Sequence, residues 1–322
     1  KQARIAIIGP NANDSVMQWG NYNGTPSHTS TLLSAFRKRL PISHLIYEPV
    51  CGLTDSITYN SLFDQCSYNG KHGFLASYWN NPDFEGEANA ITQLSTPFRF
   101  TTLGATAFAP GIKLTEFSSY QTVFRPQKSG NAIFRFQTNG NIRVSINGEE
   151  VIKTGNIKNP KNLYTLQTEA GKSYKIKIDF KQVKDETYFN FDLVEGLPLN
   201  ISNTLEKLKD IDIIIFAGGI SPSLEGEEMN VSATGFKGGD RTDIEFPAVQ
   251  RKVLAALKEA GKKVILVNFS GSAMALTPET KSCDAILQAW YPGEEGGTAI
   301  VNVLFGDYNP GGKLAVTFPR SV

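Results

Sequence analysis

The sequence predicts a layered α/β sandwich with a parallel-rich sheet, interrupted by an inserted antiparallel all-β sandwich. Three observations carry that expectation. Short continuous apolar runs closed by glycine or proline occur towards both ends of the 322-residue chain, as strands covered on both faces require. Segments with helical spacing alternate with those runs. Between residues 67 and 196 the texture changes to period-two alternation broken by Asn-Gly pairs, and helical spacing is essentially absent.

Taken in order, the first strand is Ile5-Ala6-Ile7-Ile8, closed by Gly9-Pro10. A polar, glycine-bearing loop runs from Asn11 to His28. Leu32, Leu33, Phe36 and Leu40 then recur at helical spacing, and Ile46-Tyr47 predicts the next strand. In the middle stretch, residues 132–136, 142–146, 174–178 and 188–193 alternate as half-buried strands do. Asn139-Gly140 and Asn147-Gly148 predict hairpin turns between them. The α/β pattern returns with an apolar strand over 211–217 ending in Gly218-Gly219. A helix from Pro247 to Gly261 is built on Val253, Leu254 and Leu257. Strands are expected at 263–268, 285–290 and 313–318, with a helix over 296–304. The expected division is a discontinuous α/β domain of residues 1–66 and 197–322, with the β module at 67–196.

Composition narrows the function classes. Thirty-two Lys+Arg against 31 Asp+Glu give a formal charge of +1, without the basic stripe that a nucleic-acid partner demands. No apolar run of about 18 residues is present to cross a membrane. Cys51, Cys66 and Cys283 are too few and too far apart for a disulfide framework or a zinc knuckle. His28, His44 and His72 have neither ligand spacing nor a carboxylate partner nearby in sequence, so they read as incidental and no metal site is expected. Gly218-Gly219 is accompanied by no Gly-x-Gly-x-x-Gly and no Walker lysine, which sets aside a nucleotide-binding protein. The chain opens directly on an apolar strand with no leader, and closes straight after a strand-like run. A piece of a larger protein is therefore expected.

In open α/β sheets ligands gather at the carboxyl ends of strands. The loop after the 211–217 strand places Glu225, Glu227 and Glu228 within four positions, flanked by glycines and followed by Asp240-Arg241. Clustered carboxylates repel one another, which favours a protonated acid near neutral pH. A solvated acidic loop, or an ion pair between one glutamate and Arg241, accounts for the same residues. Asp240 and Arg241 themselves read as a structural ion pair that fixes the loop. Trp290 and Tyr291 follow a buried strand and read as core, with stacking on a ligand ring as the second use.

Several longer motifs carry a resemblance. Gly238-Gly239-Asp240-Arg241, Phe246-Pro247-Ala248-Val249-Gln250, Ser270-Gly271-Ser272 and Ala289-Trp290-Tyr291-Pro292-Gly293-Glu294-Glu295-Gly296-Gly297 resemble the C-terminal α/β domain of glycoside hydrolase family 3. So do the closing run from Leu304 to Pro319 and the opening Ile7-Ile8-Gly9-Pro10-Asn11-Ala12. Within the middle stretch, the run from Gly73 to Trp79 and Phe84-Glu85-Gly86 look like the start of a protective-antigen type β-sandwich. Its calcium-ligating aspartate pair is replaced here by Thr138-Asn139-Gly140-Asn141, and hard cations want carboxylate oxygens.

The resemblance implies a retaining exo-β-glycosidase, in which two carboxyl groups stand about 5 Å apart. One, an aspartate nucleophile, belongs to an N-terminal (β/α)₈ barrel that this chain does not contain. The other is a general acid/base glutamate on the loop described above. Glu225, in Ser223-Leu224-Glu225-Gly226, fits that position best, and Glu227 is the runner-up. The 219–225 stretch is more similar to β-xylosidases than to β-glucosidases, which implies an oligosaccharide substrate of the xylo type. Trp19 and Tyr22 are the candidate sugar-contacting aromatics. No cofactor is implied, and family habit places such enzymes in the periplasm or outside the cell. The alternative is a non-catalytic carbohydrate-binding protein with an inert acidic loop.

Overall fold

The computed structural model describes residues 3–24, 26–102, 105–113, 117–153, 164–183, 186–226, 229 and 231–321. It divides into two compact units, Lys1–Thr58 with Pro198–Val322, and Tyr59–Leu197. The first boundary falls before residue 66, where the sequence pattern placed it. Residues 59–66 already pair within the β unit: Leu62 N–H donates to the Leu193 carbonyl at 2.7 Å, and Cys66 lies opposite Phe124.

The α/β unit is built on one five-stranded sheet. Its strands are β1 (Ile5–Ile8), β2 (Leu45–Glu48), β3 (Ile213–Gly219), β4 (Val264–Phe269) and β5 (Ala285–Gln288). Their order is β2-β1-β3-β4-β5, and every pairing is parallel. Alternate residues serve opposite faces, because successive side chains in a strand point to opposite sides. Ala6, Ile8, Ile214, Phe216, Val264 and Leu266 pack with Val253, Leu254 and Leu257 of the helix Ala248–Glu259. Ile5, Ile7, Ile215, Ala217 and Val267 pack with the helices Leu32–Arg39 and Gly296–Leu304 on the other side. This is a three-layer sandwich whose carboxyl edge collects the loops after β1, β3, β4 and β5.

Local chemistry explains where these elements stop. Thr31 caps the helix Leu32–Arg39 by accepting from the Ser34 N–H at 3.1 Å, and Pro41 follows its end. The 313–318 run is not a strand. Leu314 and Val316 are about half exposed there, and only the Phe318 ring is packed, edge-on to Trp290 at 5.7 Å. Its alternation is strand-like, yet without a neighbouring ladder the backbone groups have no sheet to join.

The Tyr59–Leu197 unit consists of two antiparallel sheets that share one aromatic-rich core. Phe180 stacks on Phe189 at 4.6 Å and Phe74 meets Phe191 edge-on at 5.8 Å, each pair bridging the sheets. Asn147-Gly148 makes the expected hairpin, joining Asn141–Ile146 to Glu149–Lys153 with both turn residues at positive φ. Asn139-Gly140 does not: the strands Gly130–Thr138 and Asn141–Ile146 on either side of it belong to different sheets. The Asn139 side chain is committed there, accepting from Tyr188 N–H at 3.0 Å and donating to the Glu186 carbonyl at 2.8 Å. Among the described residues no helix is long and apolar enough to cross a membrane, and the three cysteines are free and buried. Burial pushes each of the three thiols up to about 12.

Candidate active site

The end of β3 is fixed from both neighbours before the acidic loop begins. Asn11, in the loop after β1, donates its amide to the Gly218 and Ile220 carbonyls at 3.2 and 3.1 Å. Gln250, fully buried at the start of the helix Ala248–Glu259, accepts from Gly219 N–H and returns a bond to the Gly219 carbonyl, at 2.8 and 2.7 Å. At the end of β4, Asn268 donates to Gln288 at 2.6 Å, and Gln288 donates to the Ser270 hydroxyl at 3.1 Å. The strand ends are thus tied laterally by side-chain amides, so the loops leave from a rigid edge.

Glu225 sits half-buried on the loop that leaves β3. Its Oε1 accepts from Gly271 N–H at 2.8 Å and from the Tyr291 hydroxyl at 2.6 Å. Its Oε2 accepts from the Ser272 hydroxyl at 2.9 Å. The loops after β3, β4 and β5 therefore converge on one carboxyl group. The loop after β1 joins them through Asn21, whose amide donates to the Glu225 backbone carbonyl at 2.8 Å. Burial first, and then the charge of Glu225, raise the Tyr291 phenol well above its ordinary value, so the phenol keeps its proton and donates.

The expected Asp240–Arg241 ion pair is not found: among the described residues no ion pair joins them. The two are neighbours in the two-residue strand Asp240–Arg241, where consecutive side chains face opposite ways. Arg241 instead reaches the loop after β4, donating from one amino group to the Ser272 hydroxyl at 3.1 Å and the Ala273 carbonyl at 2.8 Å. Its other amino group donates to the Glu245 carbonyl at 3.3 Å. Burial pulls its guanidinium below the usual value, opposed by the charges of Glu225 and Asp243. Since Arg241 can only donate, the Ser272 hydroxyl accepts from it and turns its own proton to Glu225. Gly239 closes the turn before Arg241 at φ +93°, where a Cβ would overlap the Gly226 carbonyl, and Gly226 N–H donates to the Gly239 carbonyl at 3.1 Å.

The remaining sequence candidates fall as follows. Glu227 and Glu228 lie outside the described residues. Trp19 is half-buried, its indole N–H donating to Thr29 at 2.8 Å, while Tyr22 is 87% exposed and holds a left-handed φ of 55°. Tyr291, expected in the core or stacked on a ligand, bonds Glu225 through its hydroxyl. His28 has carboxylate partners after all: Glu294 lies 2.9 Å from one ring nitrogen and Glu295 2.5 Å from the other. Those glutamates are 266 and 267 residues away in sequence, which is why spacing hid them. Bonding to His28 holds the Glu295 carboxyl below its usual range. Asn21 had no residue-type signal of its own, and Gly271 and Ser272 stood out only as part of the Ser270-Gly271-Ser272 motif, without a role. The usable signal was position, since each follows a predicted strand of the parallel sheet.

Comparison with known proteins shows the family to which the chain belongs. Over 322 residues the chain is 46% identical to a xylan 1,4-β-xylosidase of Xylanibacter ruminicola, covering 99% of this chain and 37% of that protein. It is 41% identical over 122 residues to a periplasmic β-glucosidase of Salmonella typhimurium, covering 38% of this chain and 15% of that one. Its fold is similar to that of a β-glucosidase from Kluyveromyces marxianus, with a TM-score of 0.72 at 20% identity over 99% of this chain and 39% of the other. The chain thus spans under two fifths of the length of these relatives. The sequence profile of the glycosyl hydrolase family 3 C-terminal domain matches residues 1–322, and the chain belongs to that family.

Proposed function

We propose that this chain is the C-terminal part of a retaining exo-β-glycosidase, acting as a β-xylosidase on xylo-oligosaccharides, and that Glu225 is its general acid/base. The observation that carries the reading is the convergence of the loops after β3, β4 and β5 on the Glu225 carboxyl group at the carboxyl edge of the sheet. The 46% identity to a protein named for xylan 1,4-β-xylosidase supports xylosides over glucosides. The aspartate nucleophile belongs to an N-terminal barrel outside this chain, the partner that completes the site.

In this scheme Glu225 gives its proton to the glycosidic oxygen as the bond to the anomeric carbon breaks and the barrel's nucleophile attaches. The resulting carboxylate then takes a proton from the water that releases the sugar. Carboxyl groups carry the whole sequence, and no cofactor enters it. Tyr22 is the better placed of the two candidate sugar contacts. Its ring is exposed, and its neighbour Asn21 is bonded to the Glu225 backbone. The Trp19 ring, by contrast, is half-buried. We read residues 59–197 as an inserted protective-antigen type module; of the periplasmic or secreted locations, the Salmonella relative's name supports the periplasmic one.

The test uses the full-length enzyme, wild type and Glu225→Gln, on xylobiose and on dinitrophenyl β-xyloside. The aryl group leaves without protonation, whereas a sugar needs the acid. The proposal expects kcat/KM on xylobiose to fall on the order of 10²–10⁴-fold, with a far smaller loss on the aryl substrate. Equal survival of both rates would remove Glu225 from the role. A wild-type enzyme that binds xylo-oligosaccharides and cleaves neither xylosides nor glucosides would favour the non-catalytic binding protein.

A further inference from the structure

The two oxygens of Glu225 are held unequally. Oε1 receives two hydrogen bonds, from Gly271 N–H and the Tyr291 hydroxyl, on loops that follow different strands. Among the described residues Oε2 receives one, from a Ser272 hydroxyl that itself accepts from Arg241. A carboxyl group delivers its proton from one oxygen only. The oxygen already serving two fixed donors is the poorer place for that proton, because an O–H there would point into other hydrogens. Oε2, with a single partner, has room to carry it.

We propose, resting on the acid/base reading of Glu225, that Tyr291 is a positioning residue which with Gly271 N–H grips Oε1, so that Oε2 is the oxygen that delivers the proton to the leaving group. The Oε2–H bond breaks as the proton passes to the glycosidic oxygen. The electron pair of the scissile carbon–oxygen bond goes to that oxygen, and Oε2 later accepts the proton of the incoming water. Tyr291 neither gains nor loses a proton in either step, and its hydroxyl stays on Oε1 throughout. The grip fixes which way the carboxyl plane faces, and misplacing an acid costs rate only where an acid is needed.

The test compares Tyr291→Phe, Ser272→Ala and Glu225→Gln in the full-length enzyme on xylobiose and dinitrophenyl β-xyloside, with melting temperatures. Losing one hydrogen bond to a charged group predicts that Tyr291→Phe loses on the order of tenfold in xylobiose kcat/KM, mostly in kcat, and about twofold or less on the aryl substrate. Ser272→Ala removes the bond on Oε2 but leaves the Oε1 grip intact, and is expected to lose measurably on xylobiose, though less than about tenfold. A merely structural tyrosine would lower both substrates together, and that result overturns the proposal, as does no change on xylobiose. Should Tyr291→Phe fail to fold, Ser272→Ala decides: a loss of about tenfold or more on xylobiose with the aryl substrate spared would mean that Oε2 is the gripped oxygen, and the assignment falls. Glu225→Gln separates the two claims. If it spares xylobiose the acid/base reading itself fails, whereas a split in Glu225→Gln without one in Tyr291→Phe sinks the positioning role alone.

Discussion

At the scale of single residues, the site depends on a guanidinium that can only donate. Arg241 spreads three hydrogen bonds over Ser272, Ala273 and Glu245, and no carboxylate side chain takes its charge in an ion pair among the described residues. A planar guanidinium reaches several acceptors at once, which an ammonium at the end of a flexible stem does not. Replacing Arg241 with Met should therefore destabilise the protein by about 2 kcal/mol in urea titrations, and Arg241→Lys should recover less than half of it. Full recovery by Lys would mean that charge alone matters at this position. The contacts around Glu225 join residues 46, 47, 66 and 204 positions apart. Separations of that size leave no trace in local patterning. Glu225 itself was legible through its motif, while Tyr291 looked like core because it follows a buried strand. Both descriptions hold, since Tyr291 packs its ring among apolar neighbours and sends its hydroxyl to the carboxyl group.

At the scale of elements, the carboxyl edge of the parallel sheet is where sequence and site meet. β3 ends in Gly219 at φ +109°, where a Cβ would run into the Phe269 carbonyl of the neighbouring strand. That close approach lets the loop bearing Glu225 leave the sheet beside the loop bearing Gly271. Gly219→Ala should cost at least about 1–3 kcal/mol, because the left-handed conformation and the overlap must both be relieved. A chemical melt showing a loss below 0.5 kcal/mol, a bound set about as wide as ordinary surface substitutions, would contradict this account of the strand end. The apolar strands and amphipathic helices of this unit were readable because each buries a periodic face. The 313–318 run was misread for the complementary reason: alternation records which side chains are apolar, and a strand also needs a neighbour to pair with. Asn139-Gly140 misled in the same way, as a turn signal says that the chain bends and leaves open which sheet receives it.

At the scale of the whole molecule, one polypeptide carries two units with different construction rules. One buries a parallel sheet between helices, and the other closes two antiparallel sheets on an aromatic core. The chain covers 37% of its Xylanibacter relative, and the proposed chemistry assigns it one of two catalytic carboxyl groups. The most direct measurement of that claim is rescue of the full-length Glu225→Ala enzyme by azide on dinitrophenyl β-xyloside. Azide attacks the glycosyl-enzyme without needing a general base, whereas water does need one. The account predicts that azide raises turnover on the order of tenfold or more and that the product is the β-configured xylosyl azide, reached by two inversions. Unchanged turnover with azide, or an α-configured product, would contradict Glu225 as the acid/base of a retaining enzyme.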